Sequence, residues 1–431
     1  MQALSEASPE NKSYRFALTM LTALFFAWGF IICLNDILIP HLKQVFQLNY
    51  LRAALVQFCF FLAFFVMSAP SGVILNRLGY RRGIVVGLLI SGLGACLFWP
   101  AASLPSYGWF LAALFVLSTG ITLLQVAANP YVALLGPESL GASRLNLAQA
   151  VNSLGTTLAP ILGGTWILKV AESHVGKSAS ALEKAAALKL PYLGIALALA
   201  GLAVIFALFR LPEPPVTAPA KREKGLWGKA LREEHLMRGA VGIFLYVGAE
   251  IAIGSFLISF ITQPYILGVS TKNAAFFVSV YWGCAMTGRF LGSLIQTRVA
   301  PERTLAIAAL AALALVGGAV ATKGPAAMVL ILSVGLFNSI MFPTIFTLSV
   351  RNLGPLTGIG SSILVMAIVG GAVIPLSVGA LADRFGIQAA FLLPGLCYAY
   401  IFHYAVRGYR IDKTQERGVP YLNPGEVTAT P

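Results

Sequence analysis

A helix needs roughly 20 mainly apolar residues to cross about 30 Å of hydrocarbon. This chain supplies such runs at 16–40, 52–75, 83–102, 107–135, 145–168 and 190–210, and again at 239–263, 274–297, 303–322, 325–351, 357–381 and 387–406. Backbone N–H and C=O groups have no water to bond in lipid, so runs of this kind become helices that satisfy themselves. The composition agrees. Of 431 residues 58% are hydrophobic and 11% charged, against about 25% charged in a soluble domain, and so few charges cannot coat a water-soluble surface. The expectation is an all-α membrane protein of twelve transmembrane helices. The first run, from Phe16, lacks a small-residue cleavage site and is expected to stay as a span.

A net charge of +14 raises the question of a nucleic-acid partner, and the placement of the basic residues argues against one. Twenty of the 30 Lys and Arg residues lie in the gaps on the side of the N-terminus, among them Arg77, Arg81 and Arg82 after the second run and Lys221 to Arg238 after the sixth. Nine lie on the other side, and Arg289 sits inside a run. This is the positive-inside bias of a multi-pass protein whose two ends are both cytoplasmic. Cys33, Cys59, Cys96, Cys284 and Cys397 all fall within apolar runs, so no disulfide framework is implied.

Pro212-Glu213-Pro214-Pro215 and the basic stretch behind it read as a linker between halves. The expected division is a tail at 1–15, a six-helix bundle at 16–210, a linker at 211–238, a second six-helix bundle at 239–406 and a tail at 407–431. Features recur about half a chain apart. Phe25-x-x-x-Gly29 returns as Phe244-x-x-x-Gly248, Gly72 with Asn76-Arg77 as Gly292 with Gln296-x-Arg298, Pro130 as Pro343, and Gly155/Pro160 as Gly370/Pro375. Two pseudo-symmetric bundles can rock about a site between them and expose it to each side in turn, so the architecture points to transport.

Ionisable residues at membrane depth are costly and ask for a role. Asp36 lies near the outer end of the first run and Glu250 near mid-depth in the seventh with no base beside it in sequence; both are candidates to bind a coupling cation, H+ or Na+. Arg289 reads as a structural cation. A second signal is amide-rich. Gln125 and Asn129 share a face of the fourth run, and Asn146, Gln149 and Asn152 form a stripe on the fifth. Amides donate and accept without imposing charge, which suits a polyhydroxylated ligand, although interhelical bonding is the competing use, most of all for Asn146. Trp28 and Phe342 are candidates to pack on a sugar ring.

Other classes fit less well. No H-E-x-x-H or phosphate-cradling G-x-x-x-x-G-K-[ST] motif occurs, and the four histidines lie at or outside run ends, so neither an embedded enzyme nor an ATP-driven pump is expected. A drug exporter calls for a broadly apolar site, which the amide stripe opposes.

The strings NDILIPHLK from Asn35, GITLLQVAANPYVALLGPE from Gly120, SRLNLAQAVNSLGTTLAP from Ser143, FLYVGAEIAIGSF from Phe244, GLFNSIMFPTIFTL from Gly335 and VMAIVGGAVIPL from Val365 resemble the fucose:proton symporter family of the major facilitator superfamily, and within it the glucose/galactose transporter branch. The resemblance implies that fold, a sugar substrate and cation coupling. By it Asp36 matches a carboxylate of proton-coupled fucose transport, Gln149 and Asn152 match amides of the sugar cavity, and Trp28 an aromatic beside it. Gln125 departs from it, since the fucose symporter has a glutamate there. The loop signature after the second helix is degenerate, with Asn76 in GVILNRLGYRR where an acid belongs. The reading is a symporter importing glucose or galactose; a fucose or N-acetylglucosamine importer of the same family is the alternative, and a drug or sugar exporter a weaker one. The expected partners are a small-molecule sugar and the lipid bilayer, with no cofactor, no nucleic acid and no protein partner, in a chain that works as a monomer.

Overall fold

The structure, a computed structural model, describes residues 14–31, 50–103, 106–159, 189–209, 212 and 225–410. Asp36, Cys33, the proline-rich part of the linker, both tails and the end of the fifth run lie outside them.

The described chain is helical throughout: α1 (Tyr14–Ile31), α2 (Tyr50–Ser103), α3 (Tyr107–Leu134), α4 (Gly141–Ala159), α5 (Lys189–Leu208), the short α6 (Leu226–Ala230), α7 (Glu234–Ile261), α8 (Thr271–Ile295), α9 (Pro301–Ala321), α10 (Gly324–Asn338), α11 (Met341–Val350), α12 (Thr357–Met366), α13 (Gly370–Phe385), α14 (Ile387–Ala390) and α15 (Leu392–His403). The twelve expected spans are accounted for, with three differences of detail. The second and third share α2, which is broken at a single residue, Gly79 (φ 77°, ψ 174°). Its 54 residues would reach about 80 Å if straight, so the chain folds back at that glycine. The tenth span is α10 and α11 in series, because Pro343 has no N–H and its ring crowds the carbonyl four residues back. The eleventh is α12 and α13, joined by a tight helical turn at Ala367–Val369, with Pro375 in α13.

Among the described residues nine helices are long and apolar enough to cross a membrane by composition. Neither α4 nor α8 is one of them. Both are diluted by polar residues, and the two pack against each other across the halves.

The internal repeat is written into the packing. Within the first half α1 crosses α4 where a Cβ at Gly155 would collide with the Phe26 carbonyl and one at Gly29 with Asn152. Within the second, α7 crosses α13 where a Cβ at Gly370 would collide with the Phe244 carbonyl and one at Gly248 with Ile374. These are the glycines that recur in the sequence. Close backbone approach at small residues is how helices associate in lipid, where apolar burial supplies no drive between them.

The halves meet along two seams. On one, Ser143 Oγ donates to the Ser293 carbonyl (2.7 Å) and Asn146 Nδ2 to Gln296 Oε1 (2.6 Å). On the other, Ser361 Oγ donates to the Val126 carbonyl (2.8 Å) and Ser362 Oγ to the Ser68 carbonyl. An ion pair between Arg351 and Glu138, 3.2 Å apart, ties the short turns at the basic end. Among the described residues these contacts lie toward the end that carries the basic gaps.

Overpacking a close contact costs about 1–3 kcal/mol. Gly155→Ala and Gly370→Ala should each lower the thermal unfolding midpoint in detergent, whereas Gly283→Ala and Gly317→Ala, whose added Cβ meets nothing within 4 Å, should not. Equal midpoints for the two pairs would refute the crossing argument.

Candidate functional site

Asp36 apart, which lies outside the described residues, the polar residues singled out from the sequence collect on α3, α4, α7 and α8, beside the seams, but they do different things there. Asn146 is fully buried and bonded on to Gln296, whose Nε2 donates to Thr304 and Thr344, each at 2.8 Å. Asn152 donates from Nδ2 to the Phe25 carbonyl at 2.7 Å. Both are helix-to-helix contacts. Gln149, between them, is half-buried and its amide has no hydrogen-bond partner among the described residues. The stripe thus alternates between anchoring and uncommitted side chains.

On α3, Gln125 and Asn129 lie one turn apart and bracket Val126, whose carbonyl receives Ser361 from the other half. Asn129 is fully buried, yet neither its amide nitrogen nor its amide oxygen is bonded among the described residues. A buried amide left bare costs about 1–3 kcal/mol, so it stands ready for a ligand or water. Trp28 is only 3% exposed and packs on Phe25, ring centroids 4.1 Å apart. Phe342 on α11 is half-buried with its ring 6.0 Å from Phe346. Of the two aromatics, Phe342 is the less enclosed.

The sequence suggests no base beside Glu250, and that expectation is corrected by the structure. Arg289 Nη2 lies 3.6 Å from Glu250 Oε1, with the two side chains 15% and 10% exposed. The base comes from the next helix, which sequence spacing on α7 cannot reveal. Arg289 also reaches the opposite half, donating from Nη1 to Ser153 Oγ on α4. Ser153 Oγ in turn donates to the Gln149 carbonyl at 2.9 Å.

Around this pair is a polar group that sequence reasoning missed. Asn338 Nδ2 donates to the Tyr281 hydroxyl at 2.9 Å, and Tyr246, Tyr281 and Tyr398 stand close enough to Glu250 to interact with its charge. Tyr246 Oη, Tyr398 Oη, Asn338 Oδ1, Glu250 Oε1 and Arg289 Nε are buried without a hydrogen-bond partner among the described residues. Asn338, a polar residue in the middle of the tenth run, is the sequence signal that could have pointed here.

A family model described as the Major Facilitator Superfamily matches residues 18–374. A glucose/galactose transporter of Brucella abortus biovar 1 (strain 9-941) is 52% identical over 405 residues, which cover 94% of this chain and 97% of that protein. The L-fucose-proton symporter of Escherichia coli (strain K12) is 35% identical over 419 residues, covering 94% and 95%. Among solved structures, a Major Facilitator Superfamily transporter, FucP, crystallised in the outward conformation, superposes with a TM-score of 0.84 at 35% identity, covering 91% of this chain and 99% of that one.

The division between anchors and free amides makes a measurable contrast. Asn146→Ala strips Gln296 Oε1 of its buried donor and should lower thermal stability by about 1–3 kcal/mol, while Gln149→Ala should leave it within about 0.5 kcal/mol. Equal losses in detergent unfolding would show that Gln149 is an anchor as well.

Proposed function

From the premise that this chain belongs to the Major Facilitator Superfamily, a family of transporters and not of enzymes, we propose that it imports a hexose, glucose or galactose, together with a proton across the bacterial inner membrane. The multi-pass helical fold and the names of its relatives support this reading. The observation that carries it is the pair of uncommitted amides beside the seams, Gln149 and Asn129, in a chain 52% identical to a glucose/galactose transporter.

In this reading the sugar lies between the halves. Its hydroxyls bond to Gln125, Asn129 and Gln149 and to the Oδ1 of Asn152, whose Nδ2 is already held by Phe25. Phe342 packs on the ring; Trp28 backs the site from within the core. Neutral amides fit a neutral ligand, since each donates and accepts and none leaves an uncompensated charge in the occluded state. The coupling carboxylates are Asp36 and Glu250. The proton reading is supported by the proton-symporter relatives, and the guanidinium 3.6 Å from Glu250 repels a metal cation there.

The end closed by the seams is the basic one, hence the cytoplasmic one, and the arrangement corresponds to an outward-facing stage of alternating access. Fucose is the second substrate to consider, on the 35% identity to the fucose symporter, and Gln125 in place of a glutamate weighs against it.

Uptake of labelled glucose, galactose and fucose into proteoliposomes, under a pH gradient or a sodium gradient imposed separately, tests the proposal. Glucose or galactose should accumulate with the proton gradient alone; accumulation driven only by sodium, or of neither hexose, overturns it. Gln149→Ala should raise KM about fivefold for the loss of one hydrogen bond worth about 1 kcal/mol. Asp36→Asn should abolish accumulation against a gradient.

A further inference from the structure

Arg289 is the one side chain described above that touches both a candidate coupling carboxylate in its own half and the opposite half. Nη2 faces Glu250 and Nη1 donates to Ser153. We infer that Arg289 is a positioning residue that transmits the charge on Glu250 to the α4–α8 seam and so holds the cytoplasmic end closed until Glu250 takes up a proton. This rests on the transport reading only in treating Glu250 as a proton acceptor.

The argument turns on which partner can be neutralised. A guanidinium stays charged in a protein, so the carboxyl is the member of the pair that changes state. While Glu250 is ionised, its charge fixes the planar fork of Arg289 against α7, which leaves Nη1 directed at Ser153. Once Glu250 is protonated, the guanidinium is a buried cation that has lost its counter-charge, a far worse state than a matched pair. The other titratable groups facing Glu250 are Tyr246 on its own helix, Tyr281 on α8 and Tyr398 on α15; a neutral phenol supplies no replacement anion. Arg289 then gains most by swinging toward water, and Ser153 loses its bond.

That loss falls on the right element. Ser153 lies on α4 beyond Asn146 and Ser143, which hold the same seam through Gln296 and the Ser293 carbonyl, and one turn before Thr157, which reaches Met286 Sδ at 3.7 Å, so releasing it loosens the middle of the seam. Ser153 also bonds the carbonyl of Gln149, so the switch and a sugar-facing amide share one turn of helix. The order this imposes suits import: proton uptake from the outside first, opening of the cytoplasmic end second.

Spin labels on S139C and T297C, exposed positions at the cytoplasmic ends of opposite halves, in a background with the native cysteines replaced, report that closure by their separation in lipid nanodiscs without sugar. A short distance should predominate at high pH, and a longer one should grow to the majority as the pH falls. Glu250→Gln should give mostly the long distance at every pH, and Glu250→Asp should restore the pH response. Ser153→Ala should keep the response but move its midpoint to higher pH, because the closed state is then easier to leave. A wild-type separation that ignores pH, or a Glu250→Gln response like the wild type, overturns the inference. Should Glu250→Gln fail to fold, a Ser153→Ala response superimposable on the wild type overturns it equally. No sugar enters the measurement, so a lost pH response alongside intact glucose uptake would sink the switch and leave the transport reading standing.

Discussion

Lipid is as apolar as leucine, so it gives two helix bundles no reason to stay together. What joins the halves here, among the described residues, is a short set of polar contacts: serine hydroxyls on backbone carbonyls, Asn146 on Gln296, and the Arg351–Glu138 ion pair. Such contacts are individually weak, about 0.6 kcal/mol on average within membranes. A seam made of them can open without unfolding either bundle. The intrahelical bonds that keep each span intact inside the bilayer are not involved. Rigid halves on a breakable seam are the mechanical requirement for moving a site from one side of the membrane to the other.

The same physics explains the asymmetry between contacts inside a half and contacts between halves. Within each half the crossings of α1 with α4 and of α7 with α13 are built from glycine against carbonyl, a contact that nothing larger can replace. Between halves, hydroxyls and amides dominate on both seams. The first kind has one arrangement that fits. The second can exchange protein partners for water when a seam admits it, because Ser and Asn hydrogen-bond water as readily as each other.

Much of this was legible in the chain. Run lengths gave twelve spans, and the repeated Gly29/Gly248 and Gly155/Gly370 pairs, read only as traces of duplication, proved to be the crossing points in both halves. Where pattern reading stopped short, the cause was three-dimensional. A stripe at helical spacing shows that Asn146, Gln149 and Asn152 share a face, but not that the outer two bond to neighbouring helices and the middle one does not. The loop expected between the second and third spans shrank to Gly79 because a single residue with positive φ reverses the helix. Glu250 appeared baseless because Arg289 is its neighbour only after α7 and α8 pack. Asp36 lies outside the described residues, so the geometry bears on Glu250 alone.

The placement of the residues proposed for the two ligands has a thermodynamic consequence. Three of the amides proposed for the sugar, Gln125, Asn129 and Gln149, lie on α3 and α4, whereas Glu250 and Arg289 lie on α7 and α8, with Phe342 and Asp36 falling across that division. Sugar and proton therefore need not touch each other to be coupled; both need only bias the same seam. Gln149 and Ser153 make this concrete, because the hydroxyl that receives Arg289 is hydrogen-bonded to the backbone of the amide offered to the sugar. In the proposed scheme a ligand at Gln149 and a proton at Glu250 would act on opposite ends of one chain of contacts, Gln149–Ser153–Arg289–Glu250. By linkage, whatever the sugar does to the affinity for the proton the proton does to the affinity for the sugar, by the same factor. Neutral amides for the sugar and a switchable charge at Glu250 would let that factor be large without requiring a charged sugar site.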